Sequence, residues 1–222
     1  MFGGGDGAAH PVSFEVEPAY EGRRRLSGAL RLVLAVPHLL FAGGPSLLGM
    51  VVAPLLILAG IAPLTVPLTV GAIGVVAALA TVASWLAIAI TGRQPRDLRE
   101  VAVFYLSWRA KTVAYATLLR DEFPPFGFGE YPATLTLPPA PLARDRFSVV
   151  FRLPLLLPHI PALAVLNAAL TVASILGWLT TVLFGRYPQR LYDFSASVVR
   201  YSLRVEAYLL LVHDAYPPFR LD

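Results

Sequence analysis

The stretch WLAIAITGRQPRDLREVAVFYLSWRAKTVAYATLLRDEFPPF, Trp85 to Phe126, returns as WLTTVLFGRYPQRLYDFSASVVRYSLRVEAYLLLVHDAYPPF, Trp178 to Phe219. The two align without gaps at an offset of 93, with 13 of 42 positions identical. Apolar helices resemble one another by composition, but Gly, Arg, Pro and Asp in register do not arise that way, and the reading is a duplication. Working outward, PVSFEVEPAYEGRRRLSGALRLVLAVPH (Pro11 to His38) aligns with PATLTLPPAPLARDRFSVVFRLPLLLPH (Pro132 to His159) at an offset of 121. Eleven of these 28 positions match, among them Arg23/Arg144, Arg25/Arg146, Arg31/Arg152 and His38/His159. The repeats therefore cover residues 11–126 and 132–219. Because the offsets differ by 28, the first repeat carries an insertion of that length, enough for one extra spanning segment.

Composition sets the environment. Of 222 residues 56% are hydrophobic and 14% charged, with a mean hydropathy of +0.65, far from the balance of a soluble domain. No Asp, Glu, Lys or Arg occurs in the 61 residues between Arg31 and Arg93 or in the 33 between Arg152 and Arg186, whereas roughly 20 apolar residues span a bilayer core. The N-terminal MFGGGDGAAHPVSFEVE lacks a basic region followed by an apolar run, so insertion is expected to use internal segments. With no cysteine, disulfides and thiolate ligands are excluded. The net charge of +4 flanks apolar runs, which fits anionic headgroups and not nucleic acid.

Each repeat reads in one order: a short alternating strand, a basic helix start, an apolar span, a Gly-Arg-x-Pro turn, a mixed helix and an aromatic-proline tail. In VSFEVE, Val12, Phe14 and Val16 alternate with Ser13, Glu15 and Glu17, and ATLTL repeats the pattern, so two half-exposed strands are predicted that could pair outside the membrane. The fold class expected is mainly α, an integral membrane helical protein with two tandem repeats. Apolar passages are predicted at Leu26–Ala42, Leu47–Ala62, Leu64–Ile90, Phe147–Ile160 and Pro161–Phe184, four or five crossings in all, with Phe147–Ile160 short enough to be tilted or re-entrant. By the positive-inside rule the basic stretches share the cytoplasmic side, making each apolar run a hairpin. Glycines and prolines between Gly43 and Pro67 predict a kinked packing helix.

Several residues are candidates for chemistry. Arg93 and Arg186, in the turns GRQP and GRYP, stand where a helix stops beside lipid phosphate. In the mixed helices, expected over 97–119 and 190–212, Arg190, Asp193, Ser197, Arg200 and Arg204 form one stripe. The leading reading is a helix in the interface with its basic side toward headgroups, making Arg200 and Arg204 further headgroup candidates. The alternative buries the helix, with Arg200 or Arg204 paired to Asp193 or Glu206.

His38 and His159 invite a bis-histidine metal or haem site, but each follows a proline, and an imidazole bonding a carbonyl freed by the helix break is the favoured reading. No metal or other cofactor is expected. Asp121 and Asp214, beside Pro-Pro-Phe, are expected to bond backbone amides in a turn. No GxSxG, HExxH, P-loop or strand-borne GxGxxG occurs, so an enzyme is not expected.

PHLL, WLAIAITGRQPRDL, WLTTVLFGRYPQRLYDF and VVRYSLRVEAYLLLVHDAYPPF resemble the bacterial membrane family called domain of unknown function 4389, twice over. The resemblance implies an integral protein of the cell membrane and brings no activity, substrate or catalytic residue with it. The function expected is non-enzymatic: organising the membrane, or binding anionic lipid, a membrane-protein partner or a second copy. A transporter or channel built from the repeats is the first alternative, and a membrane redox subunit using His38 and His159 the second.

Overall fold

Two glycines in left-handed conformation divide each repeat. Gly92 (φ 74°, ψ 7°) and Gly185 (φ 69°, ψ 21°) close the apolar helices, each donating its N–H to the carbonyl four residues back, Ile88 and Thr181. Pro95 and Pro188 then cap the mixed helices, where the missing amide costs nothing. The computed structural model describes residues 10–43, 71–141 and 144–221, without the Leu32 side chain. In chain order these form β1 (Ser13–Val16), α1 (Arg25–Ala42), α2 (Ala72–Thr91), α3 (Arg96–Ala116), β2 (Ala133–Thr136), α4 (Arg146–Val150), α5 (Arg152–Leu156), α6 (His159–Phe184) and α7 (Gln189–Leu209). Both ends of α3 map onto those of α7 at the repeat offset of 93.

The two strands pair antiparallel: Ser13 faces Thr136, Phe14 faces Leu135, Glu15 faces Thr134 and Val16 faces Ala133. Phe14 and Leu135 are equivalent at the offset of 121, and the pairs on either side exchange under it. That is the register of a twofold axis perpendicular to the sheet. The relation runs through the molecule. Trp85 Nε1 donates to the Val149 carbonyl at 3.0 Å and Trp178 Nε1 to the Gly28 carbonyl at 3.1 Å, so equivalent tryptophans each bond the other repeat at equivalent positions.

α1 stops where α2 starts. A Cβ on Gly71 would collide with the Phe41 carbonyl and the Gly43 amide, and Gly43 and Gly71 both align with Ala164, inside the unbroken α6. The insertion thus opens one helical run at a single point. Arg109 on α3 reaches the Ala42 carbonyl, Trp108 reaches His38, and Arg31 reaches the Tyr115 carbonyl, so α3 runs back along both α2 and α1. In the second repeat the same run is broken at Phe151 and Leu157, around Pro154, which has no amide to donate. The short Phe147–Ile160 passage is therefore two one-turn helices and the start of α6. The predicted passage Leu47–Ala62, the first part of Leu64–Ile90 and the kink between Gly43 and Pro67 lie outside the described residues.

Helices α2 and α6 are inside out by the rule of soluble proteins. α2 turns Gly74, Ala77, Ala80 and Ser84 inward and exposes Val76, Leu79, Val82 and Leu86. α6 turns Asn167, Ala173, Gly177 and Thr181 inward and exposes Val165, Val172, Ile175 and Leu179. Both are long and apolar enough to cross a membrane, with less than a third of each buried. A large aliphatic side chain left in water forgoes roughly 1.5–3 kcal/mol, and small residues inward are how helices pack where lipid is the solvent.

The interior belongs instead to the mixed helices. Tyr105, Leu106, Trp108, Arg109, Val113 and Tyr115 of α3, and Tyr192, Val198, Tyr201, Leu203, Arg204 and Tyr208 of α7, are all buried. This corrects the reading of helices with one whole basic side turned to headgroups: Arg109 and Arg204 are enclosed, and exposed charge is confined to the first turns, at Arg96, Asp97, Glu100, Arg190 and Asp193.

Candidate functional site

Each repeat builds the same charged clamp at the end of its mixed helix. In the first, Arg23 and Arg31 both bind Asp121 Oδ1, Arg23 at 2.9 Å. In the second, Arg144 at 3.3 Å and Arg152 at 2.6 Å both bind Asp214 Oδ1. The arginines also satisfy the last carbonyls of the helix. Arg31 donates to Arg120 at 3.0 Å, and Arg152 donates to Tyr208 at 2.8 Å and His213 at 3.1 Å. Arg23 donates to the Leu118 carbonyl and Arg144 to that of Leu211, each at 2.6 Å. Those leucines turn the chain with φ of 61° and 59°, a conformation costing a non-glycine residue roughly 1–2 kcal/mol. Burial pushes Arg144 down to about 10 against the pull of Asp214, and lowers Arg23 against that of Asp121. The aspartates therefore do not serve as turn acceptors for backbone amides, as the sequence implied; they neutralise buried arginines.

Both histidines are fully buried and held between a side chain of the mixed helix and a phenylalanine of the tail. His38 Nδ1 accepts from Trp108 Nε1 at 3.0 Å, and the ring stacks on Phe126 at 4.3 Å. His159 Nδ1 pairs with the Tyr201 hydroxyl at 2.6 Å and stacks on Phe219 at 4.1 Å. Indole only donates, so the His38 ring is neutral with its proton on Nε2. The sequence leads one to expect the imidazole to bond a carbonyl freed by the helix break; in both repeats Nδ1 bonds a side chain of the mixed helix. The Pro-Pro-Phe tails are lids over these rings, which is why the two tails read alike.

Of the four headgroup candidates the structure separates two from two. Arg93 and Arg186 are exposed at the turns. Arg200 is half-buried and donates Nε to the Phe14 carbonyl at 2.9 Å, and Arg204 is buried, so Arg204 does not present its charge outward and Arg200 does so only in part. Glu206 accepts from Arg109 at 2.7 Å, and Asp193 accepts from the Tyr20 hydroxyl at 3.2 Å. Beside each turn lies an arginine that sequence reasoning did not select. A Cβ on Gly92 would fall 2.8 Å from Arg146 Nε, and one on Gly185 3.4 Å from Arg25 Nε. The α4 start of one repeat thus meets the turn of the other, and the α1 start does the same in return.

A second polar place was also missed. Arg109 and Glu206 meet where α3 crosses α7, beside a void of about 10 Å³ that Asn167 and Ser202 also line. Asn167 Nδ2 and Ser202 Oγ have no partner among the described residues, and a void of this size is near the minimum for one water. The positions equivalent to Arg109 and Glu206 are Ser202 and Val113, so this pair departs from the duplication and leaves no repeated signal to read. No group of three or more His, Asp or Glu placed to hold a metal occurs among the described residues.

These features define a class: a duplicated helical protein with its apolar helices outside and its charges paired within. The family model described as Domain of unknown function (DUF4389) matches residues 64–127 and 146–220, more than half of the chain, and the chain belongs to that family. The two matched segments correspond to tandem copies. No curated protein and no solved structure matches the chain.

Proposed function

We propose that this is a non-enzymatic protein of the cell membrane that binds anionic phospholipid headgroups and thereby organises lipid, or partner proteins, around its apolar helices. The observation that carries the reading is the position of Arg93 and Arg186. Each is exposed at the end of an apolar helix, next to an arginine supplied by the other repeat, while the remaining buried arginines of the clamps are spent on carboxylates and carbonyls. Two exposed arginines at one helix end suit a phosphate oxygen acceptor, and a basic residue near an anionic surface is worth roughly 1 kcal/mol. The test is lipid analysis of the protein purified in mild detergent. Anionic phospholipid should be enriched over bulk membrane and should fall in the R93Q/R186Q variant; unchanged lipid composition in that variant contradicts the reading.

A second reading, a solute pathway, draws on the Arg109, Glu206, Asn167 and Ser202 centre, since ionisable groups among apolar helices mark such routes. Flux through the reconstituted protein, lost on Glu206→Gln, would favour it. Absence of flux across an ion and solute panel would dismiss it.

A further inference from the structure

We infer that the pseudo-twofold axis stands along the membrane normal, so that the chain meets the bilayer from one side and both arginine pairs face the headgroups of one leaflet. The inference rests on the membrane reading above and adds an orientation to it.

A twofold-related pair of repeats has two ways to sit in a bilayer. An axis in the membrane plane makes the repeats inverted, with one arginine pair on each side; an axis along the normal puts both pairs on one side. The sheet decides between them, because the axis passes through it at Phe14 and Leu135. Its inner face is Phe14, Val16, Ala133 and Leu135, partly or wholly buried; its outer face is Ser13, Glu15, Thr134 and Thr136, with Glu15, Thr134 and Thr136 exposed. An in-plane axis lies at the bilayer midplane, and would hold this polar face and the Glu15 charge at the depth where charges are most costly. An axis along the normal places the same face in water.

The same axis then fixes where the charges at the two ends lie. The operation that exchanges Trp85 and Trp178 also exchanges the Arg146–Gly92 contact with the Arg25–Gly185 contact. With the axis along the normal, the two pairs stand at one height, on either side of the sheet. Asp97 and Arg190, equivalent and both exposed at the starts of α3 and α7, stand there too. The apolar outer faces of α2 and α6 then enter lipid from a common level.

The absence of cysteine makes the test direct. Single variants Glu15→Cys, Asp97→Cys and Arg190→Cys are made in the full chain, and sealed membrane vesicles of both orientations are treated with a membrane-impermeant maleimide. All three positions should label in the same vesicle orientation and stay protected in the other. Labelling of Asp97→Cys and Arg190→Cys from opposite sides, or protection of Glu15→Cys from both, overturns the orientation while leaving the membrane reading intact. Release of the unmodified chain from membranes by alkaline carbonate overturns both. The three substitutions are at exposed positions, and each variant is checked for retention in the membrane fraction before labelling.

Discussion

At the scale of single residues, the account depends on carboxylates that neutralise arginines in the interior. Removing one partner of such a pair leaves a charge in a place that cannot hydrate it. Asp121 and Asp214 keep some solvent exposure, which moderates the loss. Asp121→Asn and Asp214→Asn should each destabilise the protein by about 2–3 kcal/mol, by similar amounts because the partners are the same; thermal unfolding in detergent measures it. His213 supplies a pH dependence. It is buried against His10 and Tyr208, with Arg152, Arg144 and Arg99 nearby, and burial together with these charges lowers it to about 3. Its ordinary value is near 6.5, so in acid the unfolded chain takes up the proton first. Stability should therefore fall as pH drops from about 6.5 toward 3, at up to roughly 1.4 kcal/mol per pH unit, and His213→Gln should flatten that slope in acid unfolding curves. The clamps were half legible: Arg23, Arg31 and Asp121 recur in register, but recurrence alone does not say that residues 90 positions apart meet.

At the scale of elements, close packing of the apolar helices rests on small residues facing inward. Gly177 is the sharpest case, since a Cβ there would collide with the Cε2–Cζ edge of the Tyr187 ring, whose hydroxyl pairs with Ser195 at 3.2 Å. Gly177→Ala should cost about 1–3 kcal/mol by overpacking, and the double variant with Tyr187→Leu should recover part of it, as a melting series will show. The strands, the glycine stops, the apolar helices α2 and α6 and the mixed helices are readable, because period, Gly-Arg-x-Pro punctuation and charge-free length are local properties; the breaks around Pro154 are not. Nor is the side to which the mixed helices turn. Arg200 and Arg204 look like a basic stripe in projection, yet Arg200 bonds the carbonyl of Phe14, 186 residues away in the chain, and only the tertiary arrangement supplies that acceptor.

At the scale of the molecule, the duplication becomes a twofold exchange in which each repeat completes the other. Each strand pairs with its counterpart, each tryptophan bonds the opposite repeat, and each turn receives the opposite arginine. The sequence alignment showed two copies but was silent on how they face, since parallel and antiparallel strand pairing leave the same repeat in the chain. Engineered disulfides measure this directly. Opposed residues of an antiparallel pair have Cα atoms about 4.5–5.5 Å apart, within reach of a disulfide, whereas a separation above about 7 Å is not. In the cysteine-free chain, the pairs Ser13→Cys with Thr136→Cys and Glu15→Cys with Thr134→Cys should each oxidise to an intramolecular crosslink. Ser13→Cys with Thr134→Cys, which joins equivalent positions, should not. Efficient crosslinking of that last pair and failure of the first two would contradict the twofold arrangement.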